Sequence, residues 1–315
     1  MAVSDGAPRL VSAADDGFHP PDESRWFHET CWFWFFVPER ALGGWLYSWV
    51  RPNIGVSGGG CWVWDETTFL HWEAPYFAGY QNLRLPEPAA PGVMDFPNGM
   101  RVEALDPLRR YRLHYADGDA IALDLRFDAV MDPWVRVAPD TDPPHANHFD
   151  QLGHVTGDLV LHGERMTVDC LAIRDRTWAP RSERWRDGGG YGYTNAATSP
   201  SLAFLAVGDH EQVGGYLVVD GTRSPIASGR RAVERDPDHG YVTRVIVEAT
   251  DTDRRALMAE GTSVSRLALP VPGVHGVVWT SLVQWTLNGE PAWGEDQEPW
   301  PIRSWARQRA TARRG

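Results

Sequence analysis

The sequence predicts an all-β protein built as two sheet-rich halves. Three observations lead there. Apolar and polar residues alternate with strand period through most of the chain, turn-forming Gly, Pro, Asp and Asn recur between short apolar runs, and helical periodicity is nearly absent. A chain of 315 residues, 43% hydrophobic and 23% charged, suffices for two domains of about 150 residues each.

Residues 1–25 are polar and read as an irregular arm. The run CWFWFFVPER then predicts a strand ended by Pro38, with Trp32, Trp34 and Phe36 on one face and Cys31, Phe33 and Phe35 on the other. GGWLYSWVRPN predicts a second strand, with Trp45, Tyr47 and Trp49 sharing a face. GGGCWVW predicts a third, with Trp62 and Trp64 on one side. Residues 100–134 contain a hairpin: Tyr111, Leu113 and Tyr115 alternate with Arg110, Arg112 and His114. Asp117-Gly118 turns the chain, and Ile121, Leu123, Leu125 and Phe127 form the returning face. Residues 137–147 are loop-like, and two strands should then meet around His162-Gly163. Beyond residue 187 six more short strands are expected, and DTDRRALMAEG (251–261) is the best helical turn. The predicted domains are 1–183, including the arm, and 184–315, joined near residues 180–190.

Composition excludes several classes. A net charge of -12 argues against nucleic-acid or anionic-membrane binding. No apolar run approaches the roughly 18 residues of a spanning helix, and no signal-peptide pattern opens the chain. Cys31, Cys61 and Cys170 form neither a zinc pattern nor a disulfide framework, which suits a reduced, cytoplasmic setting. No phosphate-loop or Gly-x-Ser-x-Gly motif occurs. His145 and His148 have metal-pair spacing without a third ligand, so no metal is expected. A homodimer is one assembly left open.

The 16 tryptophans exceed what a core requires. Each buried aromatic removes about 150–250 Å² from water, so many of them are expected to line something. Trp32, Trp34, Trp45, Trp49, Trp62, Trp64 and Trp178 are the candidate wall of an apolar site. The candidate chemistry lies in IRDRTWAPR (173–181). Asp175 is its acid/base candidate, whereas Arg176 can only polarise a carbonyl or hold an anion. An adjacent guanidinium would lower the Asp175 pKa and an apolar pocket would raise it. The same cluster also reads as a structural ion-pair network of Arg174, Asp175 and Arg181. His148, followed by Asp150, reads as an oriented base or as a hydrogen-bonded structural histidine. Glu29, an acid entering an aromatic strand, completes the set.

Two stretches carry a family resemblance. HETCWFWFFVPERALGGWLYSWVRPNIG resembles a run that begins Asn-Glu and closes with Gly-Gly and Arg-Pro-Asn. HFDQLGHVTGDLVLHGERMTVDCLAIRDRTWAPR resembles a signature of His-Tyr/Phe-Glu-Gln followed by Arg-Asp-His-x-Trp-Gly-x-Arg. Both are similar to the tandem lipocalin-like AttH and carotenoid 1,2-hydratase proteins. That resemblance implies two lipocalin-like antiparallel β-barrel or sandwich domains and an apolar ligand space. It also implies chemistry without a redox cofactor: a hydratase or other lyase, or an isomerase, acting on a terpenoid, steroid or polyketide. A noncatalytic carrier and a pericyclic cyclase are the alternatives. It carries over Glu29, Arg51, His148, Asp150, Gln151, Arg174, Asp175, Trp178 and Arg181. Arg176 stands where the motif has a histidine, His28 where it has Asn, and Asp150 where it has Glu.

Overall fold

Strand alternation places every candidate residue on one of two sheet faces. The computed structural model describes residues 11–87, 89–135, 148–181, 190–270 and 276–312. The loop expected at 137–147 and the domain boundary at 183/184 lie outside these residues, as does His145.

The aromatic runs are strands β1 (Phe27–Val37), β2 (Leu42–Arg51) and β3 (Val56–Trp64), followed by β4 (Tyr76–Leu83). β1 is buried on both faces along its whole length, which is why it carries no polar alternation. Next come β5 (Val93–Asp95), β6 (Arg101–Asp106), β7 (Arg110–Asp117), β8 (Ile121–Ala129), the short β9 (Trp134–Val135), β10 (His148–Leu161) and β11 (Glu164–Pro180). These eleven form one sheet in the order β4-β3-β2-β1-β11-β10-β8-β7-β6-β5, with β9 on β10. β7 and β8 form the expected hairpin, with Tyr111, Leu113, Tyr115, Ile121, Leu123, Leu125 and Phe127 inside. β10 and β11 meet at His162-Gly163, both with positive φ (49° and 84°), a two-residue turn whose twist suits a hairpin.

The second sheet is a closed barrel of β12 (Gly192–Ser199), β13 (Leu202–Gly208), β14 (Val213–Val219), β15 (Thr222–Arg235), β16 (Val242–Asp251), β17 (Ala256–Pro270), β18 (Gly276–Leu287) and β19 (Glu290–Pro301). Phe204, Leu217, Val247, Leu257 and Trp285 belong to its core. By compactness the chain forms two units, the first being Met1–Phe35, Gly44–Trp62 and Tyr76–Ser182. The second adds Phe36–Gly43 and Val63–Pro75 to Glu183–Gly315. No helix of the described residues is long and apolar enough to cross a membrane.

Three expectations are corrected. Residues 251–261 are not helical. Asp251 accepts the backbone N–H groups of Asp253 (2.9 Å) and Arg255 (2.8 Å), closing a turn into β17, where Leu257 and Ala259 point inward. A helix, α1 (Ile302–Ala312), forms instead after β19, docked through Trp305 on Trp279 and Trp300. The arm is also not wholly irregular: Ala13–Asp16 make a 3-10 turn, and both Asp15 and Asp16 are buried.

Candidate functional site

Register decides which residues meet. β10 pairs with β11 so that His148 lies opposite Thr177, Asp150 opposite Asp175 and Gln151 opposite Arg174. β1 pairs with β11 so that Trp32 lies opposite Asp175, Cys31 opposite Arg176 and Glu29 opposite Trp178. Opposed residues share a face, and neighbours along a strand do not. One face therefore carries His148, Asp150, Asp175, Thr177 and Trp32. The other carries Arg174, Arg176, Trp178, Glu29, Phe149 and Gln151.

On the first face, His148 Nδ1 lies 2.8 Å from Thr177 Oγ1 and its Nε2 lies 3.1 Å from Asp150 Oδ1. Asp150 is fully buried. Asp175 is partly exposed as a residue, yet its Oδ1 is sealed from solvent without a hydrogen-bond partner. Burial pushes its pKa up to about 6. His148 opposes the rise, Asp150 adds to it, and Arg181 and then Arg176 oppose it further. Such a carboxyl can hold or release a proton near neutral pH. One ligand atom each from His148, Asp150 and Asp175 falls within a 4.8 Å span, so these three could hold a cation. This donor set is not the His145/His148 pair considered from sequence.

The indoles continue this face. Trp32 meets Trp45 edge-on at 5.3 Å, Trp45 meets Trp62 at 5.9 Å, and Tyr47 lies 5.8 Å from Trp62. Trp49 packs against His28 at 5.7 Å. Trp32, Trp34, Trp45, Trp49, Trp62 and Trp64 are all buried, and the Trp49 and Trp62 indole N–H groups have no hydrogen-bond partner. Trp34 lies on the Trp32 face by alternation, whereas Trp64 belongs to the second unit.

The other face is occupied by the chain's own arm. Asp16 accepts from the Leu108 N–H (2.6 Å), from Tyr111 Oη (2.7 Å) and from Arg174 Nη2 (3.1 Å). Arg174 also donates to Gln151 Oε1 at 2.8 Å and lies 4.0 Å above the Tyr111 ring. Arg176 pairs with Glu29 at 3.1 Å and donates to the carbonyls of Thr30 and Gly17. His19 bridges Glu29 (3.0 Å) and Asp15 (3.1 Å), and its ring stacks on Trp178 at 4.2 Å.

The four predicted catalytic residues thus divide. Asp175 and His148 come together, but Arg176 and Glu29 neutralise each other across the sheet, and Trp178 serves the arm rather than the indole face. Alternation along β11 is the physical reason. The ion-pair network read around Arg174, Asp175 and Arg181 divides likewise, because Arg174 takes Asp16 as its partner. Sequence reasoning named Asp150 as the neighbour of His148 and as a motif residue without giving it a role, and it missed Asp15, Asp16, His19 and Thr177. The Asp150–Asp175 pairing was countable: eleven residues back from Leu161 and eleven on from Glu164, across the His162-Gly163 turn, bring the two together.

Among solved structures, an AttH-like protein of Nitrosomonas europaea is similar in fold, with TM-score 0.61 at 14% identity over 88% of this chain and 92% of that one. CghA, in its structure with Sch210972, gives 0.56 at 13% identity over 87% and 88%. Kievitone hydratase from Nectria haematococca gives 0.53 at 12% identity over 93% of each chain. The lipocalin-like all-β fold expected from the motifs is the fold shared with these proteins. Comparison with curated proteins returned no sequence match. Residues 12–299 match the family described as "Domain of unknown function (DUF7064)", and the chain belongs to that family.

Proposed function

We propose that the protein is a cofactor-independent hydro-lyase or isomerase acting on a hydrophobic small molecule of terpenoid, steroid or polyketide type, with Asp175 as proton donor. The carrying observation is the Asp175 carboxyl: raised to about 6, with a sealed and unpartnered Oδ1, beside an oriented imidazole on a face rich in indoles. The fold shared with an enzyme named a hydratase supports this reading.

In hydration, the Asp175 proton passes to one alkene carbon, and the π pair becomes the new C–H bond. The adjacent carbon becomes electron-poor, and indole faces stabilise such a centre by about 0.5–2 kcal/mol per ring. Water attacks there and gives its proton to His148, which Asp150 and Thr177 hold in place. Return of that proton to Asp175 closes the cycle. Dehydration runs the same steps backward. Isomerisation omits water and removes a proton from a different carbon.

The test is Asp175→Asn in a screen of alkenes of those classes in isotopically labelled water, read by mass spectrometry. Turnover should fall about 10²–10⁴-fold with binding retained. Undiminished turnover removes Asp175 from the mechanism, and guests recovered unchanged from the unmodified protein leave a carrier.

A further inference from the structure

The face that holds Asp175 does not end there. Along β11 it continues through Thr177 and Ala179 to Arg181, just past the strand. Along β1 it runs from Trp32 through Thr30 to His28, opposite Ala179. His28 stands four residues from Trp32, roughly 13 Å along the strand. It is 6% exposed, and neither ring nitrogen has a hydrogen-bond partner. Its ring meets Trp49 edge-on, and the Arg51 guanidinium lies 5.4 Å over that same Trp49. The Arg181 backbone N–H donates to the Trp26 carbonyl at 2.8 Å, anchoring the strand end.

The charges converge. Burial first, then Arg181 and Arg51, hold the His28 imidazole well below the ordinary histidine range, so it is neutral at physiological pH. Arg181 and Arg51 also act on Tyr47, whose phenol burial pushes up to about 12, and Asp175 acts on it as well. Arg181 takes part in no ion pair among the described residues, and its side chain is exposed. One end of the face thus carries two guanidiniums and a neutral imidazole with an unused N–H. The other end carries Asp175, Asp150 and His148.

We infer that the Arg51–Arg181–His28 end is an anion subsite: the substrate bears an acidic head, a carboxylate or an ionised enol, and its reacting double bond lies roughly 13 Å away at Asp175. This rests on the function proposed above and names its substrate class. The guanidiniums supply charge, and His28 donates one hydrogen bond to the head's oxygen. The apolar middle of the molecule lies along the indoles. His28 and Arg181 are thereby positioning and specificity residues, while the proton moves at Asp175.

The test uses the full chain and two fluorescent probes, cis-parinaric acid and its methyl ester, which differ in one charge. The acid should bind at least about tenfold more tightly than the ester. Arg181→Gln should abolish that preference while leaving ester affinity unchanged; Arg181 is exposed, so the fold tolerates the change. His28→Asn, which restores a side-chain donor, should keep more of the preference than His28→Leu. Asp175→Asn should leave it intact, so loss of turnover and loss of acid preference are separable. Equal affinity for both probes, binding of neither, or a preference that survives Arg181→Gln overturns the subsite. If turnover still depends on Asp175 in that case, only the subsite falls.

Discussion

Asp175 and Arg176 are consecutive residues of β11 that serve opposite sides of one sheet. Arg176 is buried in an ion pair with Glu29 beneath the arm, and Asp175 lies against Trp32 and beside His148 and Asp150. A guanidinium one residue away therefore does not neutralise the carboxyl, and burial prevails over its charge.

Asp175 should cost the protein stability at neutral pH. Its folded pKa of about 6 lies above the ordinary 3.8, so the folded state binds the extra proton between those values. Stability from this group is full below about pH 4, falls as pH rises to about 6, and stays reduced above, by up to about 3 kcal/mol. Asp175→Asn should raise Tm at pH 8 and leave it nearly unchanged at pH 4 in differential scanning calorimetry. An equal shift at both pH values contradicts the assignment.

A proton donor with that pKa predicts kcat/KM falling about tenfold per pH unit above pH 6. Asp150→Asn removes a negative charge that holds Asp175 up, so the limb should move to lower pH. His148→Ala should reduce the rate roughly 10²-fold and move that limb to higher pH, because the imidazole opposes the rise of the Asp175 pKa. A pH–rate series on the three proteins checks all of this.

Loss of the arm carboxylate should be severe. Asp16→Ala leaves Arg174 buried without its ion-pair partner and strips acceptors from Tyr111 and the Leu108 N–H, a change worth about 3–5 kcal/mol in urea denaturation. The Arg165–Asp158 pair, 2.8 Å apart with side chains 69% and 49% exposed, should cost under about 1 kcal/mol when broken.

A methyl group at Gly153 should disrupt the first core. A Cβ there would come within 2.2 Å of the Phe127 ring, itself fully buried beside Phe33 and Tyr111. Gly153→Ala should destabilise by about 1–3 kcal/mol, and Phe127→Leu should recover part of the loss.

Cys31, Cys61 and Cys170 are buried thiols outside any disulfide, and burial raises the Cys31 thiol to about 11. All three should resist a thiol-reactive dye in the folded protein and react together on unfolding. Rapid labelling of any one would show local opening.

Much of this was legible before folding was considered. The Tyr111–Tyr115 and Ile121–Phe127 alternation declares its own buried face, and Asp117-Gly118 and His162-Gly163 mark their turns. Parity along β11 separates Asp175 from Arg176 and Trp178, a division the clustered reading of 173–181 did not draw, and His148, Asp150 and Asp175 follow from counting across a two-residue hairpin. The arm was not legible, because Asp15, Asp16 and His19 lie in a polar, aperiodic stretch whose partners are supplied by distant strands. Residues 251–261 misled because Asp251 and Arg255 have helical i,i+4 spacing, which a tight turn also satisfies, here with a 2.8 Å ion pair. α1 was missed because its apolar contact reduces largely to Trp305.

The Asp16–Arg174 bond spans 158 positions. During synthesis at about 5–20 residues per second, the carboxylate leaves the ribosome roughly eight to thirty seconds before the guanidinium it will neutralise. The first-made segment must therefore wait in solvent and settle late, as a latch closing over a hairpin already zipped. A cell that slows translation before residue 174 lengthens that wait, and a bulky amino-terminal fusion would burden this closing step more than strand pairing.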